Sequence, residues 1–294
     1  MKRRFIDQNF RADRLQTIAT ANEIIESYQA QGYRLTLRQL YYQFVSRDLI
    51  RNSERSYKAL GNAISDGRLA GLIDWAAIED RVRVPKTPGE WDNIEDLVES
   101  AVAAYRLDRW DGQASYCELW VEKDALAGVL EPVATDYHVT LMVNRGYSSQ
   151  SAMYVAANRF RQAKHARKAK YLFYLGDHDP SGEDMVRDVR DRLALFGAEV
   201  EVTKIALTMA QVEQYGPPPN PAKMTDSRAE KYVAEHGDSS WEVDALPPEV
   251  LVSLIRTAID EILEHELMDE VIEREDADKA ALERAAKRIN KNSK

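Results

Sequence analysis

Residues 171–182 read Tyr171-Leu172-Phe173-Tyr174-Leu175-Gly176-Asp177-His178-Asp179-Pro180-Ser181-Gly182. The run from Tyr171 to Leu175 is apolar and aromatic, which predicts a buried strand. Pro180 suits the first turn of a helix, and Asp179 is then the expected N-cap. Both aspartates are therefore expected where a strand ends and a helix begins, at the edge where open α/β sheets bind ligands. The alternative is that Asp179 only caps the helix and that Asp177 is a solvated loop residue.

Strand and helix patterns alternate through the middle of the sequence. Strands are predicted at 116–121, 138–143, 170–175 and 199–205, and helices are predicted to begin at Asp124, at Ser148 or Ser149, and near Gly182. This alternation favours an α/β fold with a parallel sheet.

Glu122 follows the first of these strands, so it is expected on the same sheet edge as Asp177 and Asp179. Three carboxylates that converge on one point must bind cations or lose charge. Oxygen ligands without a histidine cluster suit Mg²⁺, which would offset the charge that develops on phosphoryl oxygens. His178 is expected to point the other way and to take no part.

The front of the sequence predicts helices with a basic surface. An apolar stripe over residues 12–30 predicts one helix, and Thr36 with Gln39 forms a capping-box pattern for a second. Tyr42 lies about 100° from the apolar face of the second helix, one turn after Arg38. An outward tyrosine beside an arginine could attack a phosphate, because the guanidinium neutralises phosphate charge and favours the phenolate. The alternative is an exposed tyrosine stacked on the arginine stem.

Ser53 is the expected cap of a third helix, which ends near Gly67 or Gly71. Two helices joined by a short connection fit a helix-turn-helix or winged-helix module. A further helix is predicted over roughly 92–109, followed by a domain boundary at Asp111-Gly112.

The composition is that of a globular protein of 294 residues, 30% charged, with a formal net charge of −9. Residues 1–72 carry 12 Lys and Arg against 7 Asp and Glu, an excess of +5, whereas residues 206–294 carry 11 against 19, an excess of −8. An anionic partner is therefore expected at the front only. Cys117 is the single cysteine, which excludes an intrachain disulfide and a cysteine-cluster metal site. No run of 18 apolar residues occurs, so a soluble, cytoplasmic protein with no membrane partner is expected.

The last third predicts helices after a stiff, proline-rich loop at 217–221. Residues 249–268 form an amphipathic helical pattern, and the charge-dense residues from 267 to 289 favour a further helix. Such a run is usually a solvated face. Contact with a second subunit is the alternative.

Several segments agree with one known family. Val121-Glu122-Lys123-Asp124-Ala125, together with residues 177–182, resembles the Toprim domain with its single glutamate and its Asp-x-Asp pair. In particular it is similar to the A subunit of DNA topoisomerase VI and to the related meiotic double-strand-break transesterase. Arg38-Gln39-Leu40-Tyr41-Tyr42 resembles that family's Arg-x-x-Tyr-Tyr segment. Residues 207–215 and 242–246 look like weaker late motifs of the same family.

The resemblance implies an α/β protein of three parts. These are a helical winged-helix (CAP-like) domain at 1–111, a Toprim, Rossmann-like domain with a mainly parallel sheet at 112–248, and a helical C-terminal tail at 249–294. The chain is short for this family, which implies a reduced "mini-A" member, bacterial or phage-encoded and associated with the nucleoid.

The resemblance also implies roles for individual residues. Tyr42 inherits the role of the nucleophile and Arg38 that of its support. Mg²⁺ is the implied cofactor, held by Glu122, Asp177 and Asp179. Basic side chains near these elements are the expected contacts to DNA phosphates; they are Arg47, Arg55, Lys58, Arg68 and Arg145.

The implied reaction is attack of the tyrosine on a phosphodiester of double-stranded DNA, which gives a 5′-phosphotyrosyl link and a 3′-hydroxyl. The implied assembly is a homodimer in which Tyr42 of one subunit meets the metal site of the other. ATP-driven strand passage would need a separate ATPase (B-type) subunit, since the sequence contains no phosphate-binding Gly-rich loop.

Two other functions remain open on the sequence. The first is a Toprim-type endonuclease that uses water as the nucleophile and in which Tyr42 is only structural. The second is a DNA-binding subunit of a larger assembly that does not cleave.

Overall fold

The computed structural model describes residues 1–78, 88–144, 146, 148–224 and 228–292, with side chains described as far as residue 287. Within those residues the protein is an α/β structure with eleven α-helices and a four-stranded parallel sheet. The arrangement is compatible with a Rossmann-like domain. None of the described helices has the length and apolar character that a membrane crossing requires.

The sheet confirms the parallel arrangement predicted from the alternating pattern. Its strands are β1 (Ser115–Val121), β2 (Thr140–Val143), β3 (Ala169–Leu175) and β4 (Glu201–Ala206), in the spatial order β2-β1-β3-β4. All three neighbouring pairs are parallel. Val121 lies level with Leu175 on one side and with Val143 on the other, so the carboxyl ends of the three strands meet at one edge.

Both faces of the sheet are covered by helices. The flanking helices are α5 (Ala127–Asp136), α6 (Gln150–Phe160), α7 (Pro180–Leu195), α8 (Met209–Tyr215) and α10 (Pro248–Asp260). Alternate residues of β1 enter different cores, as the two-residue period of a strand requires. Leu119 packs in the core that includes α5 and α10, whereas Trp120 packs in the core that includes α6 and α7.

Three helices form a module at the front of the chain, which we call the front module (residues 1–78). They are α1 (Ala12–Gln29), α2 (Leu37–Ser46) and α3 (Glu54–Leu69). The capping box of Thr36 and Gln39 and the Ser53 cap are present as predicted. The described part of this module shows two isolated bridges, Arg4–Ala70 and Leu35–Ile78, and no hairpin wing, so the winged-helix assignment stays a prediction.

The helix boundaries differ from the predicted ones in three places. The helix expected over 92–109 is α4 (Ile94–Ala104), which ends where Tyr105 turns to extended backbone. Asp124 does not cap a helix; it begins a 3₁₀ turn before α5. The single helix expected over 249–268 is instead α10 followed by α11 (His265–Asn292).

Four strands and α-helices were not predicted at all, and the first of them is α8 (Met209–Tyr215), which follows β4. The proline-rich loop contains a short strand, β5 (Asn220–Pro221), which pairs antiparallel with β6 (Ser239–Ser240). Between them lies α9 (Ala229–His236). Strands of two residues carry no detectable alternation of apolar and polar residues, so periodicity cannot reveal them.

The helix expected to be a solvated face packs along one side against the same chain. In α11, Met268 is buried in the core next to α5 and α10, and Val271 is buried as well. The carboxylate of Glu275 is fully buried and accepts a 2.9 Å hydrogen bond from the Leu107 amide and a 2.6 Å bond from Lys279. The helix therefore has the expected solvated face, together with a buried stripe of three residues that the charged sequence did not reveal.

Candidate functional site

Two of the predicted carboxylates meet at the carboxyl edge of the sheet. Glu122 follows β1 and Asp177 lies two residues after β3. The Asp177 amide donates to Glu122 Oε2 at 3.2 Å. Asp179 follows and caps α7, since its Oδ1 accepts from the Gly182 amide at 2.6 Å and from the Ser181 hydroxyl at 2.8 Å. Glu122 and Asp177 therefore meet at the predicted sheet edge, but no three carboxylates of the described residues converge into a metal-binding group.

The close approach of these acids changes their proton affinity. Burial raises the pKa of Glu122, and the negative charges of Asp177 and Asp179 raise it too, against the opposing charge of Lys123. Burial also raises the pKa of Asp177, which the ammonium of Lys123 opposes and the charge of Asp244 reinforces. A positive ion at this edge would relieve both effects.

A second segment, residues 239–244, lies against the Asp177–Asp179 turn. His178 and Trp241 form an antiparallel bridge with backbone bonds of 2.8 and 2.9 Å. The Val243 amide then donates to Asp177 Oδ1 at 2.9 Å. This docking brings two further carboxylates, Glu242 and Asp244, to the edge of the sheet.

His178 is an anchor of this turn, which corrects the expectation that it has no part. Its ring is 2% exposed, and its Nδ1 lies 2.8 Å from the Tyr232 hydroxyl. That hydroxyl also donates toward the carbonyls of His178 and Ser239. The ring packs against Tyr232, His236 and Trp241 and fixes the backbone that carries the acids.

Two cations tie the acids of both segments together. Lys123 Nζ lies 2.7 Å from Asp177 Oδ2 and 3.0 Å from Glu242 Oε2. Arg38, from α2 of the front module, pairs with Glu242 and places its Nε 3.0 Å from Asp244 Oδ2. The front module and the sheet edge therefore share one ionic network.

Asp244 is the least satisfied acid of this network. Its side chain is fully buried. Neither of its oxygens accepts a hydrogen bond from the described residues, and its contact with Arg38 is ionic. A buried carboxylate in this state is costly and persists where a function or a bound cation compensates for it.

Tyr42 lies in the same region but is not exposed. It is 4% accessible to solvent, so the expectation of an outward side chain is wrong. Its ring lies 5.8 Å from the Arg38 guanidinium carbon, and it lines a cavity of about 420 Å³ together with Arg38, Asn220 and Glu242. The helical wheel places Tyr42 off the apolar face, although the structure buries its ring in the hydrophobic core of the front module. It cannot show that residues near 220 and 242 cover that side of α2.

The phenol of Tyr42 is correspondingly hard to ionise in this state. Burial raises the pKa of Tyr42 to about 12, and the charge of Asp244 contributes to the rise. The charge of Arg38 opposes this rise, and the side chain of Asn220 opposes it to a smaller extent. Asp177 also acts on this phenol, which places Tyr42 within electrostatic range of the acidic edge of its own chain.

The donor set at the edge fits a hard divalent cation. No three His, Cys, Asp or Glu side chains in the described part of the chain are arranged as a complete metal cage. Glu122 and Asp177 are nevertheless adjacent. Burial raises the pKa of each, with further contributions from Asp177 on Glu122 and from Asp244 on Asp177. Lys123 Nζ supplies the positive charge next to Asp177. Oxygen donors of this kind match Mg²⁺ rather than Zn²⁺.

The predicted DNA-contacting cations have different surroundings. Arg47 and Arg55 are exposed, although Arg47 also bonds to the backbone and side chain of Gln43. Lys58 is exposed and pairs with Glu54 at 2.6 Å. Arg68 is partly buried and donates to the carbonyls of Trp75 and Ile78, which holds the end of the front module. Arg145 lies outside the described residues.

Four site residues were not predicted. Lys123, Glu242 and Asp244 lie within segments quoted for their likeness to a family, and Asn220 lies in a stretch interpreted as a loop. The sequence marks these residues only as polar residues near the ends of predicted elements or in loops, and such residues are too common to predict a site. Only the docking of residues 239–244 onto the sheet edge reveals that they converge.

The fold and this edge define the coarse class of the protein: an α/β protein whose parallel sheet carries an acidic, cation-bridged site at the carboxyl ends of its strands. Comparison of the sequence with protein-family models gives no match, and comparison with curated proteins gives none.

Proposed function

We propose that the protein is a Mg²⁺-dependent DNA transesterase of the topoisomerase VI A type, with Tyr42 as the nucleophile. The observation that carries this proposal is the position of Arg38. It contacts the ring of Tyr42 on one side and the acids Glu242 and Asp244 on the other. A phenol, a guanidinium and an acidic edge in one site are the groups that phosphoryl transfer to tyrosine requires.

The reaction exchanges one phosphoester bond for another. The oxygen of Tyr42 loses its proton and forms a bond to the phosphorus, while the bond from phosphorus to the 3′-oxygen breaks. That oxygen takes up a proton and leaves as a 3′-hydroxyl, and the 5′-phosphate stays on the tyrosine. Because no bond is hydrolysed, the reverse reaction rejoins the DNA. Arg38 is placed to neutralise the phosphate as charge builds up on its oxygens.

The proposed metal ligands are Glu122, Asp177 and Asp179. A bound Mg²⁺ supplies positive charge that polarises the phosphoryl oxygens and the leaving oxygen. The Lys123 side chain would have to move for a metal to bind, since its Nζ lies 2.7 Å from Asp177 Oδ2. The chain itself contributes the position of the phosphate through Arg38 and through the rigid Asp177–Asp179 turn.

The proposed DNA-binding surface is the front module, with a winged-helix arrangement around α2 and α3. This is the part of the chain with excess positive charge, +5 over residues 1–72. Its exposed cations, Arg47, Arg55 and Lys58, are the proposed phosphate contacts, together with Arg145. We expect the affinity for double-stranded DNA to fall steeply with salt, as it does when phosphate contacts dominate binding.

The proposed assembly is a homodimer, because two tyrosines are needed to cut both strands. A separate ATPase subunit is proposed for any strand passage. The proposed setting is the cytoplasm of a bacterium or of a phage-infected cell, at the nucleoid. In the single chain Tyr42 is already within electrostatic range of Asp177, so whether the site uses one subunit or two is decided by the experiment on mixed subunits described below.

The decisive test is capture of a covalent protein–DNA adduct. The protein is incubated with end-labelled duplex DNA and Mg²⁺ and is then denatured and analysed by gel electrophoresis. We expect an adduct that is lost in Tyr42→Phe. Tyr57→Phe is the matched control, because Tyr57 lines the same cavity, and it should retain the adduct. An adduct that survives Tyr42→Phe would refute the role of Tyr42.

A second candidate function is favoured by the burial of Tyr42. A phenol that is 4% exposed and has a pKa near 12 also fits a core residue. In that case the acidic edge would activate water, and the protein would be a hydrolytic endonuclease. Free breaks that persist in Tyr42→Phe and disappear in Asp177→Asn would support this function. Asp191→Asn, at an exposed position on α7, is the matched control.

Mixed subunits test the arrangement of the dimer. Tyr42→Phe and Asp177→Asn proteins are combined, and adduct formation is measured. If each site takes its tyrosine from one subunit and its acids from the other, half of the sites in a mixed dimer are intact and activity returns. If each site is built within one chain, every site carries a defect and activity stays absent.

A further inference from the structure

A tyrosine hydroxyl lies buried beneath the acidic edge of the sheet. Tyr174 is the next-to-last residue of β3, and its side chain is fully buried in the core that includes α6 and α7. Its hydroxyl has no hydrogen-bond partner among the described residues. A buried hydroxyl in this state costs free energy, because it has lost its contact with water and gained no bond in exchange. Such a group calls for a functional explanation.

The register of the sheet places Tyr174 on the same face as Glu122. Trp120 lies level with Tyr174 in the neighbouring parallel strand, so the two side chains share a face. Glu122 follows Trp120 by two residues and returns to that face. The backbone ladder continues this far, since the Glu122 amide donates to the Leu175 carbonyl at 2.9 Å. Glu122 therefore lies one layer above Tyr174, toward the edge of the sheet.

Gly176 leaves the space in which these two side chains approach each other. A Cβ atom at this position would lie 2.5 Å from Tyr174 Cε1 and 3.1 Å from Glu122 Oε2. No side chain fits here unless the ring or the carboxylate moves, which is typical of a glycine at a close approach. Cε1 is the ring carbon next to the one that carries the hydroxyl. The hydroxyl end of the ring therefore lies near the carboxylate of Glu122.

The hydroxyl of Tyr174 is a protonated donor among acids. Burial raises the pKa of this phenol, and the charge of Glu122 raises it further, with smaller contributions from Asp177 and Asp179. The side chain of Asn144 opposes this rise, although its amide nitrogen does not reach hydrogen-bond geometry with any described residue. An amide beside the phenol oxygen leaves the phenol hydrogen itself free to be donated to a carboxylate.

Glu122 is a proposed metal ligand with little support from the rest of the chain. Among the described residues, its donor is the Asp177 amide, 3.2 Å from Oε2. The ammonium of Lys123 pairs with Asp177 and Glu242 instead. Carboxylates that bind metals are oriented by hydrogen bonds from a surrounding layer of residues. Tyr174 lies on the side of Glu122 where such a donor is needed.

We propose that Tyr174 is a positioning residue for Glu122: its hydroxyl donates to the Glu122 carboxylate when that carboxylate binds Mg²⁺ and so holds the ligand in place. This proposal rests on the proposed function, since it places Mg²⁺ at this edge. It gives a reason for a hydroxyl at a buried position that the ring of phenylalanine would also fill. Measurements of stability and of metal affinity test it without DNA.

The first measurement is the free energy of unfolding without divalent cations. We expect Tyr174→Phe to leave it unchanged or to raise it, because the hydroxyl has no partner to lose. Tyr116→Phe is the matched control, since Tyr116 lies in the same core and its hydroxyl donates to Glu118 Oε1 at 3.0 Å. This variant should be less stable than the unmodified protein. An equal loss in Tyr174→Phe would show that the hydroxyl is structural and would overturn the proposal.

The second measurement is the affinity for Mg²⁺. The unfolding midpoint is followed over a series of Mg²⁺ concentrations, which gives the dissociation constant of the metal for the folded protein. We expect Tyr174→Phe to raise this constant by about 10- to 100-fold, the effect typical of a group that orients a metal ligand. Tyr116→Phe should leave it unchanged. The same constant in Tyr174→Phe and in the unmodified protein would overturn the proposal.

The proposed function is judged by a different result, the covalent adduct with DNA. If Tyr174→Phe weakens Mg²⁺ binding and the unmodified protein forms no adduct, the positioning role stands and the transesterase fails. If the adduct forms and both proteins bind Mg²⁺ equally, the transesterase stands and the positioning role fails. An unmodified protein whose unfolding midpoint does not respond to Mg²⁺ would overturn both the positioning role and the proposed metal site.

Discussion

Two glutamates at β1 share the same apolar surroundings in sequence but have opposite environments in the structure. Glu118, within the strand, is fully buried and every one of its oxygens is paired. Its Oε1 accepts from Tyr116 and from Arg159 Nε at 3.0 and 2.8 Å, and its Oε2 accepts from Trp120 and Arg159 Nη2 at 2.9 and 2.7 Å.

Glu122, just past the end of the same strand, lacks such compensation. Its Oε2 accepts from the Asp177 amide, while the carboxylates of Asp177 and Asp179 act on it with the same sign of charge. From this difference we infer that a buried acid is structural when it pairs with a guanidinium. A buried acid that is surrounded by other acids marks a candidate functional site.

The largest effect that the comparison predicts is at Glu118. Glu118→Ala leaves the Arg159 charge and two aromatic donors without their acceptor in the core. We expect a loss of about 3–5 kcal/mol in the free energy of unfolding, the range for breaking a buried ion pair, measured by urea denaturation. Glu201→Ala, at an exposed position on β4, is the control. A loss below about 1 kcal/mol would show that Glu118 is not structural.

Glu275 is a second buried acid that is paired with cations, and it allows a test of how stability depends on pH. Burial raises its pKa, but the bonds from Lys279 and the Leu107 amide and the charge of Arg109 outweigh this and lower the pKa to about 2. An acid whose pKa is lowered in the folded state adds stability above its ordinary pKa of about 4.5, and this stability is lost as the pH falls toward 2. We expect Glu275→Gln to cost about 2 kcal/mol at pH 7 and the difference to shrink toward pH 2.

The control for Glu275 is Glu273→Gln, an exposed position on the same helix. Its unfolding curve should match that of the unmodified protein from pH 2 to 7. If the cost of Glu275→Gln stays constant over that range, the stabilisation does not come from the carboxylate charge.

Local patterns predicted the sheet and the cap of α7 because these features depend on neighbouring residues. The apolar run before Asp177 predicts a strand, and the Asp179-Pro180 pair predicts the N-terminus of a helix, each from its own residues alone. The position of Glu122 and Asp177 at one edge also followed, since strand order does not alter which edge the carboxyl ends occupy. Their contact depends in addition on the pairing of β1 with β3.

The rest of the site depends on contacts between distant residues, which no local pattern contains. The burial of Tyr42 comes from segments near 220 and 242, about 180 to 200 residues later in the chain. Glu118 in its buried strand gives no hint that Arg159 will reach it. The family resemblance singled out Tyr42, Glu122, Asp177 and Asp179 as candidates, but it did not single out Glu242, Asp244 or Asn220.

The third prediction concerns Glu122, for which stability changes with pH in the opposite direction to that expected for Glu275. Burial and the neighbouring acids raise the pKa of Glu122, so the folded state loses stability as the pH rises from the ordinary value of about 4.5 through the raised one. We expect Glu122→Gln to stabilise the protein at pH 7 by roughly 0.5–1.5 kcal/mol without divalent cations, the size of one typical interaction. At pH 4 the gain should vanish.

Magnesium should reverse the order of stability of the unmodified protein and the Glu122→Gln variant. A ligand that binds only the folded state stabilises it by about 2.7 kcal/mol at 100 times its dissociation constant. We expect saturating Mg²⁺ to raise the unfolding midpoint of the unmodified protein and not that of Glu122→Gln. Glu118→Gln is unsuitable as a control because its fold is weakened. Equal responses to Mg²⁺ in both proteins would exclude Glu122 as a ligand.

The smallest effect on stability is expected at Asp179, where cap and proposed ligand coincide. Asn preserves an oxygen for the Gly182 amide, so Asp179→Asn should change the free energy of unfolding by only a few tenths of a kcal/mol, whereas Asp179→Ala should cost about 1 kcal/mol. Asn also removes the charge, so the response to Mg²⁺ should fall in both variants. Ser149→Ala removes the cap of α6 and should cost a similar amount while the response to Mg²⁺ stays intact. If Asp179→Asn keeps the full response to Mg²⁺, Asp179 only caps α7. Glu122 and Asp177 are then the only two of the three proposed ligands that still can bind the metal.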